Sequence, residues 1–305
     1  GPPVAPEDFA AFWQATYQAT RTRPLNLVRT PLPSPDPAYD LFRVEVDTWG
    51  GIRIGSWLTV PADGDVRCGA VVGHGYGGRE GPDFGLPLAH AVAIFPCAPG
   101  FNLSAHPKIP GDAQAHVVHG IASRETYILR PSTAALWSAA SALLALYPQV
   151  SGRLAYLGGS FGGGLGALAL PWDARFVRAF LQVPTFGHHP IRLTCPCVGS
   201  GEAVRQYHAD HPEVVEVLRY YDAATAAARI RVPVLVAPAL FDPAVPPPGQ
   251  FAVANAMPHH ETFVLTAGHV EYSEAEAEQA ALYAAKQRWF ADLSSGGPDV
   301  PVRSV

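Results

Sequence analysis

Residues 157–166 read LGGSFGGGLG, with six glycines and one serine in ten positions. Three roles ask for this much backbone freedom around one hydroxyl. A phosphate cradle needs G-x-x-x-x-G-K-[ST], and no lysine follows here. A dinucleotide turn needs G-x-G-x-x-G/A, which Gly162, Gly164 and Ala167 match formally, as do Gly73, Gly75 and Gly78. Both lack the acidic residue about 20 positions on that would hold a ribose. The third role is a nucleophile elbow. Gly158-Gly159-Ser160-Phe161-Gly162 is G-x-S-x-G, set between a strand-like run, RLAYLGGS, and a helix-like one, GLGALALPW. There the serine sits in a strained turn, and its neighbours two before and two after must be small so that helix can pass strand. The motif alone occurs by chance; its strand-turn-helix setting makes it specific.

Outward from the elbow, apolar runs alternate with helical patterns. LFRVEVDTW, IRIGSWLTVP, CGAVVGHG and AVAIFPCAP read as strands, STAALWSAASALLALY as a helix, and VRAFLQVP as the strand after the elbow helix. VPVLVAPAL and ETFVLTAG read as two further strands flanking a helix near 248–257. SEAEAEQAALYAAKQRWFADL is a closing helix, with Ser273 and Glu276 as a capping box. Near the start, Phe9, Phe12, Trp13 and Tyr17 recur at helical spacing in PEDFAAFWQATYQAT, which suggests a helix docked on a larger body. The pattern predicts an α/β chain with a mostly parallel central sheet and helices on both faces. No repeat or separating linker appears. The expectation is one domain over 1–305, with a docking extension at about 1–40 and an irregular, cap-like insertion at about 188–225.

A serine hydroxyl needs a base to take its proton. The elbow fold orders its partners Ser, then Asp or Glu, then His, each after a strand. Asp242 follows VPVLVAPALF and His269 follows TFVLTAG. Glu261 and Glu271 are not at strand ends in that order, and Asp222 precedes a strand. Singly, Asp242 also reads as a turn acid before Pro243 and His269 as a surface histidine; with the elbow they make a triad, Ser160-Asp242-His269. The oxyanion hole should come from backbone N–H groups of Phe161, just after the nucleophile, and Tyr76, in the loop VVGHGYGG. His74 in that loop reads as a structural residue under the elbow.

Composition excludes other classes. Net charge is −5, so nothing resembles a nucleic-acid footprint. No apolar run reaches the ~18 residues of a membrane span. No basic-then-apolar leader opens the chain, which points to the cytoplasm, although a start at Gly-Pro leaves open a removed segment. Four cysteines are too few for a disulfide scaffold, and Cys195-Pro-Cys197 with His188 and His189 fits no metal spacing; they read as loop residues, with no metal.

LGGSFGGGLG, ARIRVPVLVAPALFDPAVPPPGQFAVANAM and TAGHVEY together resemble the acetyl xylan esterase and cephalosporin C deacetylase family, carbohydrate esterase family seven. HGIASRETYILR, PEDFAAFW, GGIRIGSWLTVP and GHGYGG extend the likeness over nearly the whole chain. The resemblance implies an α/β-hydrolase that removes acetyl groups from small carbohydrate esters without a metal or organic cofactor. It aligns Ser160, Asp242 and His269 with the family triad and Tyr76 with its oxyanion-loop tyrosine. Two positions depart from it. Phe161 stands where the family carries glutamine, and Pro99-Gly100-Phe101 where it carries Arg-Gly-Gln. Phe101 and Phe161 are thus expected to border the acyl pocket, with acetyl and propionyl esters cleaved best. A general short-chain carboxylesterase, a serine peptidase of the same fold and a binding protein that has lost catalysis are the other readings. The resemblance also implies a homo-oligomer, a hexamer. Val117, Val118 and Ile121 are expected to supply an apolar contact between subunits, or else to pack on their own chain.

Overall fold

The computed structural model describes residues 2–295. The chain opens with helix α1 (Phe9–Arg21), followed by strands β1 (Val28–Leu32), β2 (Tyr39–Asp47), β3 (Arg53–Pro61), β4 (Cys68–Gly73) and β5 (Ala91–Pro96). Helices α2 (Ala113–Val117) and α3 (Leu129–Leu146) lead to β6 (Leu154–Gly159), α4 (Phe161–Ala169) and β7 (Phe176–Gln182). Four short helices come next: α5 (His189–Arg192), α6 (Ser200–Asp210), α7 (Val214–Leu218) and α8 (Ala223–Ala227). The chain then runs through β8 (Val234–Ala237), β9 (Ala239–Phe241), α9 (Pro247–Ala256), β10 (His260–Thr262), β11 (Leu265–Ala267) and α10 (Ala275–Ser294).

Nine strands form one sheet in the order β1-β2-β3-β5-β4-β6-β7-β8-β10. From β5 to β10 the neighbours run parallel; β1, β2 and β3 pair antiparallel at the other edge. Every residue of β4 and β5 is buried, as expected of central strands covered on both faces. Along β6, Leu154 and Tyr156 face a core built with α1, α3, α4, α8 and α9. Ala155 and Leu157 face the opposite core, closed by Leu282, Phe290 and Leu293 of α10. The period-2 alternation of a strand thus feeds two layers.

Several sequence expectations change. VPVLVAPAL is two strands, because Pro238 has no N–H for the ladder; its carbonyl still accepts from Leu265. ETFVLTAG divides likewise, and β9 and β11 make a separate parallel pair. β1 lies unread within the proline-rich first forty residues. It contains Pro31 and is almost wholly exposed, as an edge strand tolerates. The stretch 188–225, read as irregular, is mostly helical; its helices are short and interrupted near Pro196 and Pro212. The capping box does not form: α10 has Glu274 at its N-cap without a side-chain cap, and the Ser273 hydroxyl bonds Glu274 instead. Helix α1 docks as expected, with Phe9 and Trp13 fully buried and Trp13 Nε1 donating to the Tyr220 carbonyl at 2.8 Å. Val117 and Ile121 are interior, and Val118 packs partly buried against the same core. They therefore offer no exposed apolar patch to another subunit and pack on their own chain instead.

Candidate active site

Ser160 occupies the turn between β6 and α4 with φ 52° and ψ −112°, a conformation L-residues rarely adopt. Sterics explain the flanking glycines. A Cβ on Gly158 would lie 2.5 Å from the Gly162 carbonyl oxygen, and one on Gly162 would lie 2.8 Å from the Gly73 carbonyl carbon. The turn is fastened to β7 and its following loop: Ser160 N–H donates to the Gln182 carbonyl at 2.9 Å, and Thr185 N–H donates to the Ser160 carbonyl at 3.2 Å. Val183 and His269 also have positive φ, 38° and 52°. Strained backbone thus clusters around the serine, as it does where a fold over-determines local geometry.

Asp242 follows β9 and His269 follows β11, so pairing of these two short strands brings acid and base together. His269 Nδ1–H donates to Asp242 Oδ2 at 2.8 Å, and the Ser160 hydroxyl donates to His269 Nε2 at 3.0 Å. The Asp242 side chain is fully buried and the His269 side chain is 31% exposed. Asp242 Oδ1 accepts from the backbone N–H groups of Ala244 and Val245, both at 2.9 Å. Gln250 of α9 completes the set: its Nε2 donates to Asp242 Oδ2 at 2.9 Å and to the Val245 carbonyl at 2.6 Å, while its Oε1 accepts from Ala239 N–H at 2.8 Å. The sequence reading missed Gln250. Its only signal is an amide in the first turn of a helical stretch behind three prolines, a signal that Asn255 in the same helix shares.

The competing acids are placed elsewhere. Asp222 caps α8, accepting from Thr225 N–H, and also accepts from His189 N–H. Glu261 is exposed on β10, and Glu271 lies on the wall of the cleft above Ser160. That cleft has a volume of about 770 Å³; Gly75, Gln182, Val183, Tyr272, Glu276 and Gln279 also line it.

Phe161 is the first residue of α4, so its N–H lies at a helix N-terminus, where the dipole favours negative charge. Its ring stacks on that of Tyr76, centroids 3.9 Å apart and planes at 19°. Tyr76 Oη donates to His116 Nδ1 at 3.4 Å, and His116 Nε2–H donates to the Pro99 carbonyl at 3.0 Å. Burial holds His116 neutral, its pKa pushed down to about 4. His74 serves the same scaffold. Its Nε2 accepts from Ala98 N–H at 2.9 Å, so Nδ1 carries the proton and donates to the Gly75 carbonyl at 2.7 Å. Burial lowers its pKa to about 4 as well. Phe101 is 4% exposed and packs against His74, Tyr76, His116 and Phe161. The structure sets it behind Tyr76, and neither it nor Phe161 reaches the cleft wall.

Among the described residues no group of three or more His, Cys, Asp or Glu is arranged to hold a metal ion, and no helix is long and apolar enough to cross a membrane. Chemically, an exposed hydroxyl bonded to an imidazole, itself oriented by a buried carboxylate, is equipped for acyl transfer.

The acetyl xylan esterase (AXE1) family profile matches residues 1–291. Among solved structures, an acetyl xylan esterase from Paenibacillus sp. R4 superposes with a TM-score of 0.82 at 22% identity, covering 93% of this chain and 96% of its own. Acetyl xylan esterase 1 from Thermoanaerobacterium sp. JW/SL YS485 gives 0.82 at 18%, over 97% and 96%. An acylaminoacyl peptidase from Pyrococcus horikoshii gives 0.59 at 12%, covering 91% of this chain but 43% of its own. The fold is thus shared with esterases along their whole length and with a peptidase over less than half of its length. The chain belongs to the acetyl xylan esterase family and is a carboxylic ester hydrolase with an α/β-hydrolase fold.

Proposed function

We propose that the chain is a serine esterase that hydrolyses acetyl and other short acyl esters of small carbohydrates or similar alcohols through an acyl-enzyme. The observation that carries this reading is the hydrogen-bond chain from Ser160 Oγ to His269 (3.0 Å) and on to Asp242 (2.8 Å) at the floor of an open cleft. His269 Nε2 takes the serine proton as Oγ attacks the ester carbonyl. The N–H groups of Phe161 and Tyr76 receive the developing oxyanion, and the stacked rings keep the two donors in register. The imidazolium, held by Asp242, returns its proton to the departing alcohol. Water, deprotonated by the same imidazole, then attacks the acyl-serine and releases acetate.

The whole chain serves as one α/β-hydrolase domain in this proposal. The first forty residues brace its flank through α1, and the short helices of 188–225 cap the region beside the oxyanion loop; Gly1 and residues 296–305 lie outside the described residues. Phe101 supports substrate binding indirectly, by backing Tyr76.

Turnover of p-nitrophenyl acetate against a peptide anilide tests the class. Ser160→Ala should lower ester turnover by roughly 10⁴-fold or more with the fold intact, and a serine-directed phosphonate should label Ser160 alone. Near-normal turnover by the alanine variant, or faster cleavage of the anilide, contradicts the proposal.

A further inference from the structure

Arg192 ends the one-turn helix α5, and its side chain is 97% removed from solvent, being 3% exposed. A buried lysine can shed its proton; a guanidinium cannot. Yet Nε and Nη1 of Arg192 find no hydrogen-bond partner among the described residues, and no carboxylate there forms an ion pair with it. An isolated buried cation costs several kcal/mol unless something compensates its charge.

The titratable groups within electrostatic reach of Arg192 are Tyr127, Cys197, Tyr76, Asp222 and His189. Burial raises the pKa of both phenols and of the thiol, so these three stay neutral. Asp222 is the single anion, and its two oxygens accept from Thr225 N–H and His189 N–H. The Tyr127 hydroxyl is fully buried and also lacks a hydrogen-bond partner. Aromatic rings surround the place: Arg192 Cζ lies 5.6 Å from the Phe186 centroid, and Tyr127 stacks edge-on to Tyr221 at 4.9 Å. His189, one turn back, donates from Nε2 to the Tyr221 carbonyl at 3.2 Å, which leaves Nδ1 as a lone pair unsuited to an anion.

We propose that Arg192 and Tyr127 form an internal site for a small monovalent anion of halide size, held by Arg192 Nε–H and Nη1–H and by the Tyr127 hydroxyl. A water molecule would satisfy the N–H groups but add no negative charge beside the guanidinium, whose one anionic neighbour, Asp222, is bonded elsewhere. Strongly hydrated polyvalent anions suit dry aromatic surroundings poorly. The site lies behind the oxyanion loop, since Phe186 also packs on Tyr76 and Phe161.

The test is a binding measurement independent of turnover. Replacing gluconate by bromide at constant ionic strength should raise the thermal midpoint of the parent by about 3 °C, because the anion binds only the folded chain. Arg192→Met and Tyr127→Phe should lose most of that rise, and in gluconate Arg192→Met should be at least as stable as the parent. Tyr127→Phe deletes one hydroxyl only, so it carries the comparison if the methionine variant does not fold. Bromide-soaked crystals should show an anomalous peak within hydrogen-bonding distance of Arg192. A parent that responds no more than the variants, or bromide peaks confined to the surface, overturns the proposal.

Discussion

Gln250 lies in no motif, yet the geometry makes it the residue that holds Asp242, the acid of the proposed triad. Its side chain is fully buried and makes three hydrogen bonds, to Asp242, to the Val245 carbonyl and from Ala239 N–H. Replacement by methionine keeps the volume and deletes all three. The lost bond to a carboxylate is worth about 1.5–3 kcal/mol, and each buried partner left unsatisfied costs about 1–3 kcal/mol. With the Val245 carbonyl and Ala239 N–H both left unsatisfied, stability should therefore fall by at least about 3 kcal/mol. Asp242 keeps Ala244 N–H, Val245 N–H and His269, so its aim loosens without being lost. If the carboxylate bond is expressed in the transition state, kcat should fall about 10- to 100-fold with KM little changed, since each tenfold corresponds to about 1.4 kcal/mol. Gln250→Glu separates positioning from general damage. It sets a second carboxyl 2.9 Å from Asp242. At an effective dielectric of about 20, two charges at that spacing repel by about 6 kcal/mol, enough to keep one proton shared by the pair near neutrality. The glutamate variant, protonated, still donates to Asp242, so it should stay active at neutral pH and acquire a loss at alkaline pH that the parent lacks. The assay is p-nitrophenyl acetate turnover against pH, with circular dichroism to verify folding. A folded methionine variant within twofold of the parent, or a glutamate variant with the parent's pH profile, refutes this reasoning.

Acid should destabilise the fold through His74, His116 and His189, whose pKa values burial lowers to about 4. The unfolded chain binds protons at these positions from about pH 6.5 downward and the folded chain does not, so stability should drop by about 1 kcal/mol per histidine per pH unit between those limits; thermal midpoints from pH 7 to 4 that stay level contradict this. Acetyl and propionyl esters should be the best acyl substrates, and a steady rise in kcat/KM from acetyl to octanoyl esters would instead mark a general carboxylesterase. Assembly, expected from resemblance alone now that Val117 and Ile121 prove interior, is read by light scattering after size exclusion: six chains are expected, and a clean 32.4 kDa species refutes it.

The local pattern of the chain decided the elbow and the class of fold, and it singled out the three residues that the proposal makes a triad. Those depend on short-range constraints: glycines two before and two after Ser160, apolar runs of strand length, and polar residues at the ends of those runs. Only tertiary structure decided what surrounds them. Pro238 splits one apolar run into β8 and β9, and the second piece pairs with β11 to bring Asp242 to His269. Gln250 meets Asp242 because α9 folds back across that pair, and an amide in a helix carries no local mark of its partner. Phe101 and Phe161 were expected at the border of the acyl pocket. Both are buried away from the cleft wall, beside Tyr76, a choice between two apolar environments that composition cannot make. Arg192 carries no mark in the sequence that sets it apart from the other arginines. Its burial beside Phe186 follows from packing of distant segments, and hydrophobic periodicity holds no information about where a buried cation is left without an ion-pair partner.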